Sequence, residues 1–207
     1  METLRISPKY TAKDWEKLDR NNATDWPKAV RIVRDRLHGR FLHFADKCLK
    51  DHYSGFVVLA IDCLLAEALQ QFIDGVTNGD RRSKELSKKF LEGSRFQPYF
   101  DTDDLRLAFY QDIRCGLLHQ AEAKNKWLIR RKQKALLKSV DDGYIIDVER
   151  FHTAMKASLR DYFALLCKPE STNLRDKLWT KMDHICNVRA ARGAMEILES
   201  SAADPTA

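Results

Sequence analysis

Arg114 and His119, with four residues between them in Tyr110-Gln-Asp-Ile-Arg-Cys-Gly-Leu-Leu-His-Gln-Ala-Glu-Ala-Lys124, are the pair in this chain whose types and spacing could do chemistry together. Arginine is a permanent cation whose planar fork matches phosphate oxygens. Histidine is the one side chain whose unperturbed pKa lets it take and give protons near neutrality. An anchored phosphate and a proton shuttle are a minimal kit for cutting RNA without a metal. In a chain with 36 Lys+Arg and 6 His such a pair also arises by coincidence, so the elements around it decide its meaning.

The chain is 207 residues long, 44% hydrophobic and 32% charged, with a mean hydropathy of −0.49. That is enough for one domain with a sizeable core, and the composition is that of a charge-rich helical protein. The longest apolar run, Phe56 to Leu69, is interrupted by Asp62 and Glu67 and falls short of the roughly 20 residues a bilayer requires. The first residues, Met-Glu-Thr-Leu-Arg-Ile-Ser-Pro, lack the apolar core of a signal peptide, so no membrane partner is expected. Five cysteines without paired spacing predict reduced thiols and a cytoplasmic location. The net charge of +6 predicts an anionic partner without naming it. Phosphate-cradling glycine loops and spaced His/Cys metal patterns are missing from the sequence, so neither cofactor nor metal is expected.

Residues 1–23 read as an N-terminal extension, with a turn or two of helix around Trp15 and Leu18. The first long helix is expected from Thr24 or Asp25, with Pro27 in its first turn. Its buried stripe is Val30, Val33, Leu37, Phe41, Phe44 and Cys48. Arg31, Arg34, Arg36 and Arg40 fall outside that stripe, as a solvated face or, in the minority reading, a phosphate-tracking surface. Phe56 to Ile73 is apolar on nearly all sides and predicts the central helix. Its two carboxylates, Asp62 and Glu67, have two readings. Either each is satisfied by a neighbouring helix, or one of them orients Arg114 or His119.

A short basic helix follows over 83–91, then an aromatic loop, Phe96-Gln-Pro-Tyr-Phe100. That loop either cradles RNA or pins a helix connection to the core. Asp101-Thr-Asp-Asp104 starts the helix that delivers the Arg/His pair, with Leu105, Ala108, Phe109, Ile113 and Leu117 as its buried stripe. From about 126 to 148 three short β-prone runs and the hairpin signal Asp142-Gly143 predict a small inserted β-hairpin. Lys124, Lys126, Arg130, Arg131, Lys132 and Lys134 make this the densest positive stretch, a candidate RNA-binding surface. Helices are expected over about 148–167 and 169–199, with a tail over 200–207.

The segment Ile113-Arg-Cys-Gly-Leu-Leu-His119, in this helix order, resembles the HEPN superfamily (higher eukaryotes and prokaryotes nucleotide-binding domain), whose ribonuclease members carry Arg-x4-6-His near the end of a late helix. The resemblance covers about residues 24–168 and implies an all-α fold: a HEPN-like bundle of four to six helices with the small β-hairpin inserted. It implies a metal-independent endoribonuclease of the toxin–antitoxin or phage-defence type, with Arg114 and His119 catalytic. Asp62, Glu67 and Cys115 are candidate supporting residues. RNA is then the expected substrate, with an antitoxin or nucleotidyltransferase as a further partner. Cys115 stands where active members often carry a polar residue, and Gln120-Ala121 do not continue the motif of the nucleotidylated subgroup.

Five residues of regular α-helix set two side chains about 140° apart and about 7.5 Å along the axis, so Arg114 and His119 would not meet within one helix. Either Gly116 loosens the turn, or two copies of the helix face each other across a shared cleft. The resemblance implies the second, a homodimer. Two other readings stand beside the nuclease. One is a non-catalytic HEPN-like module that binds RNA, a nucleotide or a protein; the other, resting on net charge alone, is a DNA-binding regulator.

Overall fold

The computed structural model describes residues 4–93 and 95–202, with side chains through 187. In chain order the helices are α1 (Ala12–Glu16), α2 (Trp26–Leu37), α3 (His43–Cys48), α4 (Gly55–Asp74), α5 (Ser83–Leu91), α6 (Asp103–Ala108), α7 (Cys115–Gln120), α8 (Val148–Leu166) and α9 (Thr172–Ala202). Two π-helical turns join neighbours into longer rods, His38–Leu42 between α2 and α3 and Phe109–Arg114 between α6 and α7. The strands are β1 (Trp127–Arg130), β2 (Leu137–Val140) and β3 (Gly143–Asp147). The protein is mostly helical with one small sheet, as the sequence predicts. The tail expected over 200–207 falls, from 203 onward, outside the described residues.

The central helix is α4, packed against α3, α5, α8 and α9. Val58, Leu59, Leu65 and Leu69 are buried on it, and Gly75 closes it in the left-handed conformation (φ 70°). At 20 residues it is long and apolar enough to cross a bilayer by length and composition, contrary to the reading of the interrupted run. Half of its apolar window is buried against the other helices.

The two π turns explain where helical periodicity holds and where it slips. A π turn takes an extra residue per turn, so it rotates every later side chain relative to an α-helical count. After His38–Leu42 the buried positions become Leu42 and Ala45, while Phe44 is half exposed. The expected stripe through Phe41, Phe44 and Cys48 is therefore displaced by one residue. In the second rod the buried residues Phe109, Ile113 and Leu117 recur strictly every four. The wider turn over Phe109–Arg114 keeps them on one side, where a 3.6-residue helix would let them drift.

The sheet differs from a simple hairpin. β2 and β3 pair antiparallel, but β1 pairs with β3 in parallel, so the order is β1-β3-β2. The tight turn is Asp141-Asp142, and Gly143 already belongs to β3, opposite Val140. A Cβ at Gly143 would overlap the Lys126 carbonyl, so glycine is what lets the strands approach there. Asp147, last in β3, caps α8 by accepting from the Arg150 amide (2.8 Å).

Residues 4–23 pack onto the core rather than trailing from it. Ile6 and Trp15 are buried, and the Trp15 indole donates to Asp183 on α9 (2.8 Å). Trp179 of α9 lies against both Trp15 and Trp26, at 4.6 and 5.3 Å between ring centroids. Phe96 and Phe100 are also fully buried, in ring contact with Phe90, Phe109 and Phe151. Of the two readings of the aromatic loop, pinning a helix connection is the one its buried phenylalanines satisfy.

The end of α7 is strained. Ala121 closes it in the left-handed region (φ 55°, ψ 30°), where glycine is the unstrained residue. Ala121→Gly is expected to raise stability by about 0.5–1 kcal/mol, read from urea unfolding. A neutral or destabilising result would show that the strain is relieved elsewhere.

Candidate functional site

Arg114 sits where the π turn hands over to α7, held from α4. Its Nε donates to Glu67 Oε1 (2.5 Å) and its Nη2 to Glu67 Oε2 (3.1 Å), a two-point pair with side chains only 16% and 11% exposed. Ser83 on α5 donates to the same carboxylate (2.7 Å), and the guanidinium lies over the Tyr110 ring at 5.6 Å. Burial works against Arg114's charge, but Glu67 outweighs it and the arginine's pKa is raised. The Cys115 side chain also lies in hydrogen-bonding reach of the guanidinium. Cys115 is half-buried beside this cluster and, with Ser83, lies in hydrogen-bonding reach of the Tyr110 hydroxyl, whose pKa burial raises.

His119 stands apart from it. It is exposed near the C-terminal end of α7, next to the exposed Leu118, and no described residue hydrogen-bonds its ring. From Cys115, directly after Arg114, to His119 the chain is regular α-helix, so the two side chains diverge as helix geometry requires. Gly116 does not loosen that turn. It lets the chain after α7 fold back, because a Cβ there would overlap the Glu122 carbonyl, and the Lys124 amide then reaches the Asp112 carbonyl (2.9 Å).

Asp62, the other buried carboxylate of α4, meets neither Arg114 nor His119. Five residues before Glu67, it points roughly 140° away around α4. There it accepts from His152 Nδ1 of α8 (2.9 Å), while His152 Nε2 faces Asp46 (3.3 Å) and Lys156 donates to Asp46 (2.6 Å). Asp62 and His152 are both buried. Sequence reasoning missed this chain because it joins side chains far apart in sequence; the one hint was a histidine on the apolar side of the 148–167 helix.

Burial pushes the Asp62 carboxyl up to about 6, an effect His152 only partly offsets. Burial pulls His152 down, but carboxylates on both ring nitrogens outweigh it and raise its pKa. A raised folded-state pKa means that the native protein keeps a proton the unfolded chain has released, so stability falls as pH rises. The His152 contribution is complete below its ordinary 6.5 and is lost as pH climbs through the raised value. The Asp62 contribution, complete below 3.8, is gone above about 6. As pH rises above 6.5 the melting temperature is therefore expected to fall, less steeply in His152→Gln. Equal slopes in the two proteins would rule out this buried chain as the cause.

The basic stretch is divided. Arg131 is a clamp: it pairs with Glu149 (2.8 Å) and donates to the carbonyls of Leu49, Asp51 and His52, tying the sheet to the α3–α4 connection. Lys126 pairs with Asp142 (2.6 Å). Arg130, Lys132 and Lys134 are exposed and Lys124 is half-buried, so these four remain open to solvent in varying degree.

The fold and this geometry define a mostly helical protein with a buried carboxylate–arginine pair and, apart from it, a surface histidine without a hydrogen-bond partner among the described residues. No family model matches the chain, and neither a curated protein nor a solved structure is significantly similar to it.

Proposed function

We propose that this protein is a metal-independent endoribonuclease of HEPN type, an effector of a toxin–antitoxin or phage-defence system in the cytoplasm, working as a homodimer with a shared cleft. The observation that carries the reading is Arg114. Glu67, itself bonded by Ser83, fixes it through Nε and Nη2, and the same rod presents, further along, a histidine with no hydrogen-bond partner among the described residues.

An exposed stripe on α4 supports the dimer. Val57 and Leu64 are 52% and 40% exposed, with Ala60, Ile61 and Ala68 half-buried between and beyond them. At about 100° per residue these five lie on one face, and Glu67 stands at its edge. A second copy packed on that stripe would cover apolar surface beside Arg114 and bring a second His119 toward the first. The chemistry then balances. His119 takes the proton of an RNA 2′-OH, the 2′-oxygen attacks phosphorus, and the imidazolium of His119 of the partner subunit protonates the departing 5′-oxygen. Arg114 stabilises the charge gathering on the phosphate oxygens.

The test is incubation of the protein with a mixed RNA pool in EDTA. Fragments ending in 2′,3′-cyclic phosphate, with DNA left intact, are expected; cleavage abolished by the chelator, or equal cutting of DNA, would sink the mechanism. The second reading is a non-catalytic HEPN-like module. The completeness of the Glu67–Arg114–Ser83 network favours it, since an ion pair of purely structural purpose would look the same.

A further inference from the structure

A groove of about 1340 Å³ runs between α2, α3 and α8, and neither Arg114 nor His119 lines it. Its α2 wall carries Arg31 and Arg34, with His38 in the π turn beyond, and its α8 wall carries Lys156 and Arg160. Spacings of three and four residues along a helix place Arg31 and Arg34 on one wall, and Lys156 and Arg160 on the other, roughly one turn, about 5 Å, apart. Such files suit a ligand with repeating negative charge better than a single anion.

The negative groups in the groove are already engaged. Asp46 is held by Lys156 and His152, and Glu149 by Arg131. Several cations are not. Arg34 is exposed and makes no hydrogen bond or ion pair among the described residues. Arg31 gives only its Nε, to the Pro27 carbonyl (3.3 Å), and Arg160, 73% exposed, reaches Asp161 only at 3.9 Å. Between the walls lie Val30, Leu42, Leu159 and the half-buried ring of Phe163. A positive channel with an apolar, partly aromatic floor is how proteins hold single strands, with phosphates on the cations and bases on the floor. The groove also exceeds the roughly 300–1,000 Å³ of a small-molecule pocket.

We propose that this groove is a docking track for single-stranded RNA, its phosphates held by Arg31, Arg34 and Arg160 and its bases resting on Phe163. The choice of RNA rests on the ribonuclease reading; the track itself rests on the groove. It places the principal RNA contacts away from the 124–134 stretch, whose Arg131 is spent on the protein's own backbone.

The test is fluorescence anisotropy of a labelled single-stranded RNA in EDTA, with His119→Ala as the parent so that cutting is suppressed. Arg34→Ala/Arg160→Ala in that background touches only exposed side chains and should melt at the parent's temperature. Its affinity should fall at least about tenfold, and its salt slope should flatten by about 1.4, the loss of two single-strand phosphate contacts. Parent and double variant binding alike would overturn the track and leave the ribonuclease reading standing. No RNA binding by the parent would overturn both. A poly-glutamate peptide that binds the parent when RNA does not, and loses affinity in the double variant, would assign the groove to an acidic protein segment instead.

Discussion

His119→Ala is expected to lower the rate of RNA cleavage in EDTA by about 10²–10⁴-fold, the usual contribution of a positioned acid–base group. The melting temperature should not move, because His119 is exposed and has no hydrogen-bond partner among the described residues. That combination is what separates the two readings of the Arg/His helix. A histidine that caps or packs would cost stability when removed and would not touch a reaction. Fragment yield and melting curve, measured on the same two preparations, decide it. Parent and variant cutting equally would remove His119 from the mechanism. A parent that binds RNA and cuts none would shift the assignment to the binding module.

Glu67→Ala carries the second large effect, on stability and activity together. It strands the Arg114 guanidinium, 16% exposed, without its counter-charge and removes the acceptor of Ser83. Breaking a buried ion pair by deleting one partner costs about 3–5 kcal/mol, and Arg114's residual exposure places this case near the lower figure. Glu67→Gln keeps the shape and an acceptor oxygen and should cost less. The double replacement Arg114→Leu/Glu67→Leu should be more stable than Glu67→Ala, because no unpaired charge is left inside. Urea unfolding reads all three. A Glu67→Ala cost under about 1 kcal/mol would mean that the pair does not hold α7 to α4. For activity, Gln should retain more cleavage than Ala if Glu67 acts by positioning Arg114 for phosphate; equal loss in both would point to the carboxylate's charge instead.

Where neighbours in sequence decide an outcome, the sequence was enough. Thr102 caps α6 and accepts from the Leu105 amide (3.3 Å), as the Asp-Thr-Asp-Asp start implies. Gly75 ends α4, Pro169 follows the end of α8, and the apolar run over 56–73 becomes the central helix. Even the divergence of Arg114 and His119 follows from a five-residue spacing, because helical geometry is local. The candidate pair was likewise visible as two residue types in one heptad-length stretch.

Only tertiary structure decided which charges meet. Glu67 and Arg114 are 47 residues apart, Asp62 and His152 are 90, and nothing in either local sequence selects one partner over the other. The two carboxylates share a helix and look equivalent in the sequence, yet a 140° rotation sends one to α7 and the other to α8. The same holds for the buried stripe after residue 38, which shifted because a π turn absorbed one residue to fit the core. It holds too for the parallel β1–β3 pairing, and for the arginines of α2, which face α8 across a groove that no single helix contains. Capping and periodicity depend on hydrogen bonds within one or two turns, and the residues themselves specify them. Charge pairing, helix phase and groove walls depend on how distant surfaces pack, and the chain acquires them only on folding.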